Sequence, residues 1–230
     1  INLKLAGQPS TAISRFEGVT TIWPDGPLSD HAQFEKGMTH YELRQWTEAV
    51  STFRQLVEEY PNSPKAGSGL RMLAEAHVAL GEFTQALEAY NAAIEHDAAS
   101  PSLKREVQFQ KAWLLYRGNR YQEAAPAFLS LHEENPSGNL AGDALFWAAE
   151  SIYQADNYQR AAELYRKFIE NYSSSGKIEA AHYALGWVYF KSESYEPAAQ
   201  HFRQFLNDYT GENQIVPYES DARLRLADSY

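Results

Sequence analysis

Between Arg120 and Pro136 the chain reads RYQEAAPAFLSLHEENP. Tyr121, Ala124 and Phe128 fall three and four apart, while Gln122, Glu123, Glu133 and Glu134 lie off that line. This spacing predicts an amphipathic helix. The pattern is not unique to one segment. Alanines in the same setting stand at Ala12, Ala49, Ala86, Ala124, Ala161 and Ala198, so successive anchors are 37 or 38 residues apart. Three residues before the anchor stand Trp46, Phe83, Tyr121, Tyr158 and Tyr195, with Pro9 in the first copy. Four residues after it stand Phe16, Phe53, Tyr90, Phe128, Tyr165 and Phe202. A small residue precedes it by twelve: Gly37, Ala74, Ala112, Ala149 and Gly186. A period of this length predicts a stacked repeat in which each unit buries its apolar face against the next.

Each repeat is expected to hold two helices. The first should end near Leu80, Arg117, Ala155 and Lys191, and the second should stop before a proline such as Pro61 or Pro136. Ser63-Pro64 and Ser100-Pro101 read as an N-cap followed by a first-turn proline, where the missing N–H costs nothing. Gly81-Glu82, Gly118-Asn119 and Asp156-Asn157 read as the turns inside repeats. Pro126, beyond the first turn of its helix, is expected to bend it on the outer face. The expected divisions of a single array over 1–230 are 30–66, 67–103, 104–140, 141–177 and 178–219, with partial repeats at 1–29 and 220–230. Ends that fall in mid-repeat lead to the expectation of a piece of a longer array, able to self-associate through its truncated ends.

These residues resemble the tetratricopeptide repeat. Leu185-Gly186, Tyr189, Tyr195, Ala198 and Phe202 carry the resemblance, as do Leu73-Ala74, Gly81, Phe83, Ala86 and Tyr90. It implies an all-α, right-handed superhelical solenoid of helix–turn–helix repeats. The unit is longer than the family's usual 34 residues. With the linker EEYPNSPKAG at 58–67, it is similar to repeats of bacterial cell-envelope proteins such as the Tol-Pal coordinator and outer-membrane assembly lipoproteins. That similarity implies a periplasmic or cell-envelope setting.

Composition narrows the chemistry. The 230 residues hold no cysteine, which removes disulfides and thiol catalysis and is compatible with an oxidising compartment. A net charge of −10, with no basic run, points away from nucleic acid. No apolar stretch is long enough to insert directly in a membrane. The seven histidines include no helical zinc pair, and no Gly-rich phosphate loop or serine elbow occurs. The chain is therefore expected to have no catalytic, metal or cofactor site and to act as a non-catalytic scaffold for a protein or peptide partner.

The resemblance implies that first helices line a concave groove. Positions five, nine and twelve of each first helix are then the expected contact residues. They are Phe34, Met38 and Tyr41; Arg71, Glu75 and Val78; Phe109, Trp113 and Tyr116; Phe146, Glu150 and Tyr153; and Tyr183, Trp187 and Phe190. Aromatics so placed would suit recognition of an extended or helical partner segment. Trp113 and Trp187, nine along, are expected to be the most open. The alternatives are a self-association module and the substrate-presenting arm of a larger enzyme.

Overall fold

A computed structural model describes residues 7–209 and 218–229, with side chains at 208 and 209 excepted. The expected tail of a first helix at 1–6 lies outside the described residues. Among them the secondary structure is helical throughout: α1 (Pro9–Ile22), α2 (Ser29–Glu42), α3 (Trp46–Glu59), α4 (Ala66–Leu80), α5 (Phe83–Glu95), α6 (Pro101–Arg117), α7 (Tyr121–Glu134), α8 (Ala141–Gln154), α9 (Tyr158–Asn171), α10 (Ile178–Lys191), α11 (Tyr195–Tyr209) and α12 (Glu219–Asp228). The chain divides into two compact units, 1–114 and 115–230. In the first unit α1 to α5 pack in sequential order, and α2 also touches α4. In the second, α7 to α12 pack in sequential order.

The core follows the repeat. Ala49, Ala86, Ala124, Ala161 and Ala198 are all fully buried, as are Phe53, Phe128, Tyr165 and Phe202. The small residue twelve before the anchor is the seat of the aromatic four after it. A methyl added to Gly37 would meet the Phe53 ring at 2.6 Å, and one added to Gly186 would meet Phe202 at 2.8 Å. These rings therefore fill the space between the two helices of their own repeat.

The turn inside each repeat is one recurrent device. Arg44, Gly81, Asn119, Asp156 and Glu193 all have positive φ, between 58° and 77°. The next residue's N–H returns to a carbonyl five back, as from Glu82 to His77 and from Ser194 to Tyr189. This closes the first helix with a left-handed cap. Histidine side chains brace two of these turns: His40 Nδ1 lies 2.8 Å from Gln45 Oε1, and His77 Nδ1 lies 2.6 Å from Glu82 Oε2. Loops between repeats are tied by a second device. Tyr60 Oη donates to the Pro24 carbonyl at 2.9 Å, and Tyr172 Oη donates to the Pro136 carbonyl at 2.7 Å. His96 Nε2 makes the same kind of contact with the Pro61 carbonyl at 2.9 Å.

Helix starts differ in part from those expected. Ser100 caps α6, accepting from the Leu103 N–H at 3.2 Å, with Pro101 in the first turn. Ser63 does not cap α4, which begins at Ala66. Its hydroxyl accepts from the Lys65 N–H and donates to Asp30 Oδ2 at 2.5 Å, so it serves a turn. Pro126 is exposed and α7 runs through it.

Candidate partner-binding cleft

In the first unit, the expected residues of α2 pack against the core. Phe34, Met38 and Tyr41 are half-buried; Phe34 lies 5.9 Å from Phe53, and Tyr41 lies edge-on to Trp46 at 4.9 Å. Tyr41 joins the next first helix, donating to Glu75 Oε2 at 3.3 Å. Glu75 is otherwise neutralised. Arg71 Nη1 stands 3.0 Å from its Oε1, and Gln110 Nε2 donates to the same oxygen at 2.6 Å. Burial and the Glu75 charge raise the Tyr41 pKa. Phe109 and Trp113, on α6, are half-buried.

The second unit holds an aromatic cleft of about 660 Å³. It is lined on one side by Tyr116, Phe146, Trp147, Glu150 and Tyr153, and on the other by residues of α10 and Tyr218. From the expected set it brings together Tyr116, Phe146, Glu150, Tyr153, Tyr183 and Trp187. Phe190 is not in the lining but packs edge-on to Trp187 at 5.8 Å. Phe146 is turned into the core, against Tyr165 at 5.8 Å and Phe168 at 5.5 Å. Trp187 is not a freestanding ring. Its indole N–H donates to Asp221 at 3.2 Å, and the Arg225 guanidinium sits 5.0 Å above its face. Both partners come from α12, which thus covers part of this tryptophan. Tyr183 donates to the same Asp221 carboxylate at 2.7 Å and stacks on exposed Tyr218 at 5.0 Å. Burial and the bond to Asp221 push the Tyr183 pKa up to about 12.

Among the described residues, Glu150 is the one carboxylate in the lining. Its Oε1 accepts a short hydrogen bond from Tyr165 Oη, and Tyr116 Oη approaches Oε2 at 3.5 Å. Burial raises its pKa; the two phenol contacts act in the opposite direction. Lys177 and Lys191 stand in the lining as well. Lys177 Nζ is held by Asp143 at 2.9 Å, and Lys191 Nζ lies 5.7 Å over the Trp187 ring.

The groove pattern did not single out Trp147, Lys177, Lys191 and Tyr218. Trp147 follows Phe146 directly, and such a doubled aromatic was the available signal, since two neighbours on a helix cannot both face the core. Tyr218 precedes α12 and carried no periodic cue. Among the described residues, no three His, Asp or Glu side chains are placed to hold a metal ion, and no helix is long and apolar enough to cross a membrane.

Sequential helix pairs, a buried alanine per pair and a cleft on the first-helix face define a helical-repeat solenoid of the kind that mediates contacts between proteins. Two models of the tetratricopeptide repeat match the chain, one over residues 71–139 and 109–176, the other over 31–63 and 180–211. The chain belongs to the tetratricopeptide repeat family. No curated protein matches it. Among solved structures it is similar to MamA, residues 41 to the end, from Desulfovibrio magneticus RS-1. The identity there is 14%, over 80% of this chain and 97% of that one, with a TM-score of 0.64. It is also similar to a putative kinesin light chain with TPR-like repeats from Podosopora anserina: 17% identity, 80% and 96% coverage, TM-score 0.62. A tetratricopeptide repeat protein from Parabacteroides merdae ATCC 43184 aligns over 99% of this chain and 94% of its own, with 15% identity and a TM-score of 0.58. At these identities the likeness is one of fold.

Proposed function

We propose that this chain is a non-catalytic scaffold whose second unit receives an extended or helical segment of a partner protein in the cleft between α8 and α10. One observation carries the reading. A cleft of about 660 Å³ is walled by Tyr116, Trp147, Tyr153, Tyr183 and Trp187, the residue types that dominate binding hot spots. The repeats supply the rigid helices that hold these rings in place. A location in a cell envelope rests only on the repeat length, the linker and the lack of cysteine, and adds nothing to the mechanism.

The test is selection of a random peptide library on the full chain, followed by binding to Tyr153→Ala and Tyr218→Ala. Tyr218 is exposed, so its removal leaves the fold in place. Selected peptides should lose roughly 2 kcal/mol of affinity at a central aromatic. Peptides that bind both variants as well as the unaltered chain would remove the cleft as the docking site.

A further inference from the structure

The two units carry the same carboxylate at the same place in the repeat, and they treat it differently. Glu75 and Glu150 each stand nine along a first helix, and each is approached by a tyrosine twelve along the preceding first helix, Tyr41 at 3.3 Å and Tyr116 at 3.5 Å. Four residues before Glu75 is Arg71, which supplies a guanidinium at 3.0 Å. Four residues before Glu150 is Phe146, which supplies none. Gln110, the amide donor to Glu75, has its counterpart in Ala184, which offers no donor. Among the described residues, the hydrogen bonds to Glu150 come from the hydroxyls of Tyr165 and Tyr116.

A buried carboxylate without a cation is costly unless it is protonated or finds a partner. We propose that the cleft beside Glu150 is a guanidinium site, filled by an arginine side chain of the docked segment in place of the arginine that the first unit provides for itself. This deepens the docking reading and rests on it.

Three features favour arginine over other occupants. The first unit shows the pairing with its own Arg71. The walls offer the faces and edges of Tyr116, Trp147 and Tyr153, on which a planar guanidinium stacks while its fork meets the carboxylate. At the far end of α10 the molecule already places a guanidinium this way, with Arg225 5.0 Å over Trp187 and 5.6 Å over Phe190. The two lysines of the lining are engaged elsewhere, Lys177 by Asp143 and Lys191 over Trp187. A net charge of −10 draws a basic segment toward the chain as a whole.

Protonation gives an independent signature. Burial raises the Glu150 pKa, so the free site holds a proton more readily than an ordinary glutamate. Binding of a guanidinium favours the ionised form and so releases whatever proton the free site holds. Affinity should therefore rise with pH until Glu150 is ionised in the free chain.

The experiment is titration of the full chain with Nα-acetyl-arginine amide, following the indole N–H resonances of the tryptophans. Nα-acetyl-citrulline amide is the uncharged control, and Nα-acetyl-lysine amide tests the headgroup. A saturable shift is expected with arginine. Loss of the charge-assisted pair should weaken binding about tenfold or more, both for citrulline on the unaltered chain and for arginine on Glu150→Gln, whose pH dependence should also flatten. Phe146→Arg, which restores the first unit's arrangement, should block the site. Thermal melts show whether each variant is folded. If Phe146→Arg does not fold, Glu150→Gln and the citrulline control decide the matter. Equal responses to arginine and citrulline, or to arginine and lysine, would overturn the proposal. So would full binding to folded Glu150→Gln. Library peptides that lack arginine yet lose affinity on Tyr153→Ala would retain the docking site and reject its guanidinium occupant. Peptides indifferent to the cleft variants would reject the docking site itself.

Discussion

His201 sits face to face with Tyr189 at 5.6 Å and stacks on His182, whose Nδ1 lies 3.2 Å from its own. Two imidazoles so placed can share one proton in a hydrogen bond, but they repel when both are charged. Burial, then the His182 charge, then Arg166 pull the His201 pKa down to about 4. The folded chain thus favours neutral His201, while the unfolded chain protonates it near the usual 6.5. The stability this histidine contributes is present above that usual value and is lost as pH falls from about 6.5 through about 4. Glu150 behaves oppositely. Its raised pKa means that its cost to the fold grows as pH rises from the ordinary glutamate value. Melting curves from pH 7 to pH 4.5 should show a steeper fall for the unaltered chain than for His201→Gln. Parallel curves would remove His201 as the source.

At the scale of the element, the turn inside each repeat decides how a first helix stops. The left-handed position is glycine only at Gly81; elsewhere it is Arg44, Asn119, Asp156 and Glu193. For a residue with a Cβ that conformation costs about 1–2 kcal/mol, less for Asn and Asp, whose side chains bond locally. Glycine relieves the strain but loses more conformational entropy, roughly 0.5–1 kcal/mol. Glu193→Gly should therefore stabilise the second unit by up to about 1 kcal/mol, or about 2–4 °C in melting temperature. Asn119→Gly should change it little. A drop in melting temperature for Glu193→Gly would mean that the glutamate side chain makes a compensating contact.

Across the whole molecule, packing runs from each helix to its neighbours in sequence, within each of the two units. Damage should then stay local, as expected of arrays whose stability is a sum of repeat and neighbour interactions. Ala161 is fully buried. Leucine there adds three carbons to a contact sized for a methyl, an overpacking that costs roughly 1–3 kcal/mol. Hydrogen exchange on Ala161→Leu should show lost protection in α8, α9 and α10, with amides of the first unit unchanged. Equal loss along all the described helices would indicate one cooperative body.

The sequence by itself determined the repeat, the all-helical class and most helix ends. First helices stop at Leu80, Arg117, Gln154 and Lys191, within a residue of the positions read from the spacing. These features are legible because a helix's apolar period and its terminating turn are properties of a few adjacent residues. Six of the positions expected on the groove line one cleft. Their individual environments were not legible, because burial and charge pairing depend on what other elements bring alongside. Nothing near Trp187 in sequence shows that Asp221 and Arg225 of α12 hold and cover it. Asn119 rather than neighbouring Gly118 takes the left-handed turn, five residues before its anchor alanine as in the other repeats. Glu75 and Glu150 occupy identical positions in the period. Only the tertiary structure shows that the first is half-buried beside a cation, while the second meets phenols at the floor of an open aromatic cleft.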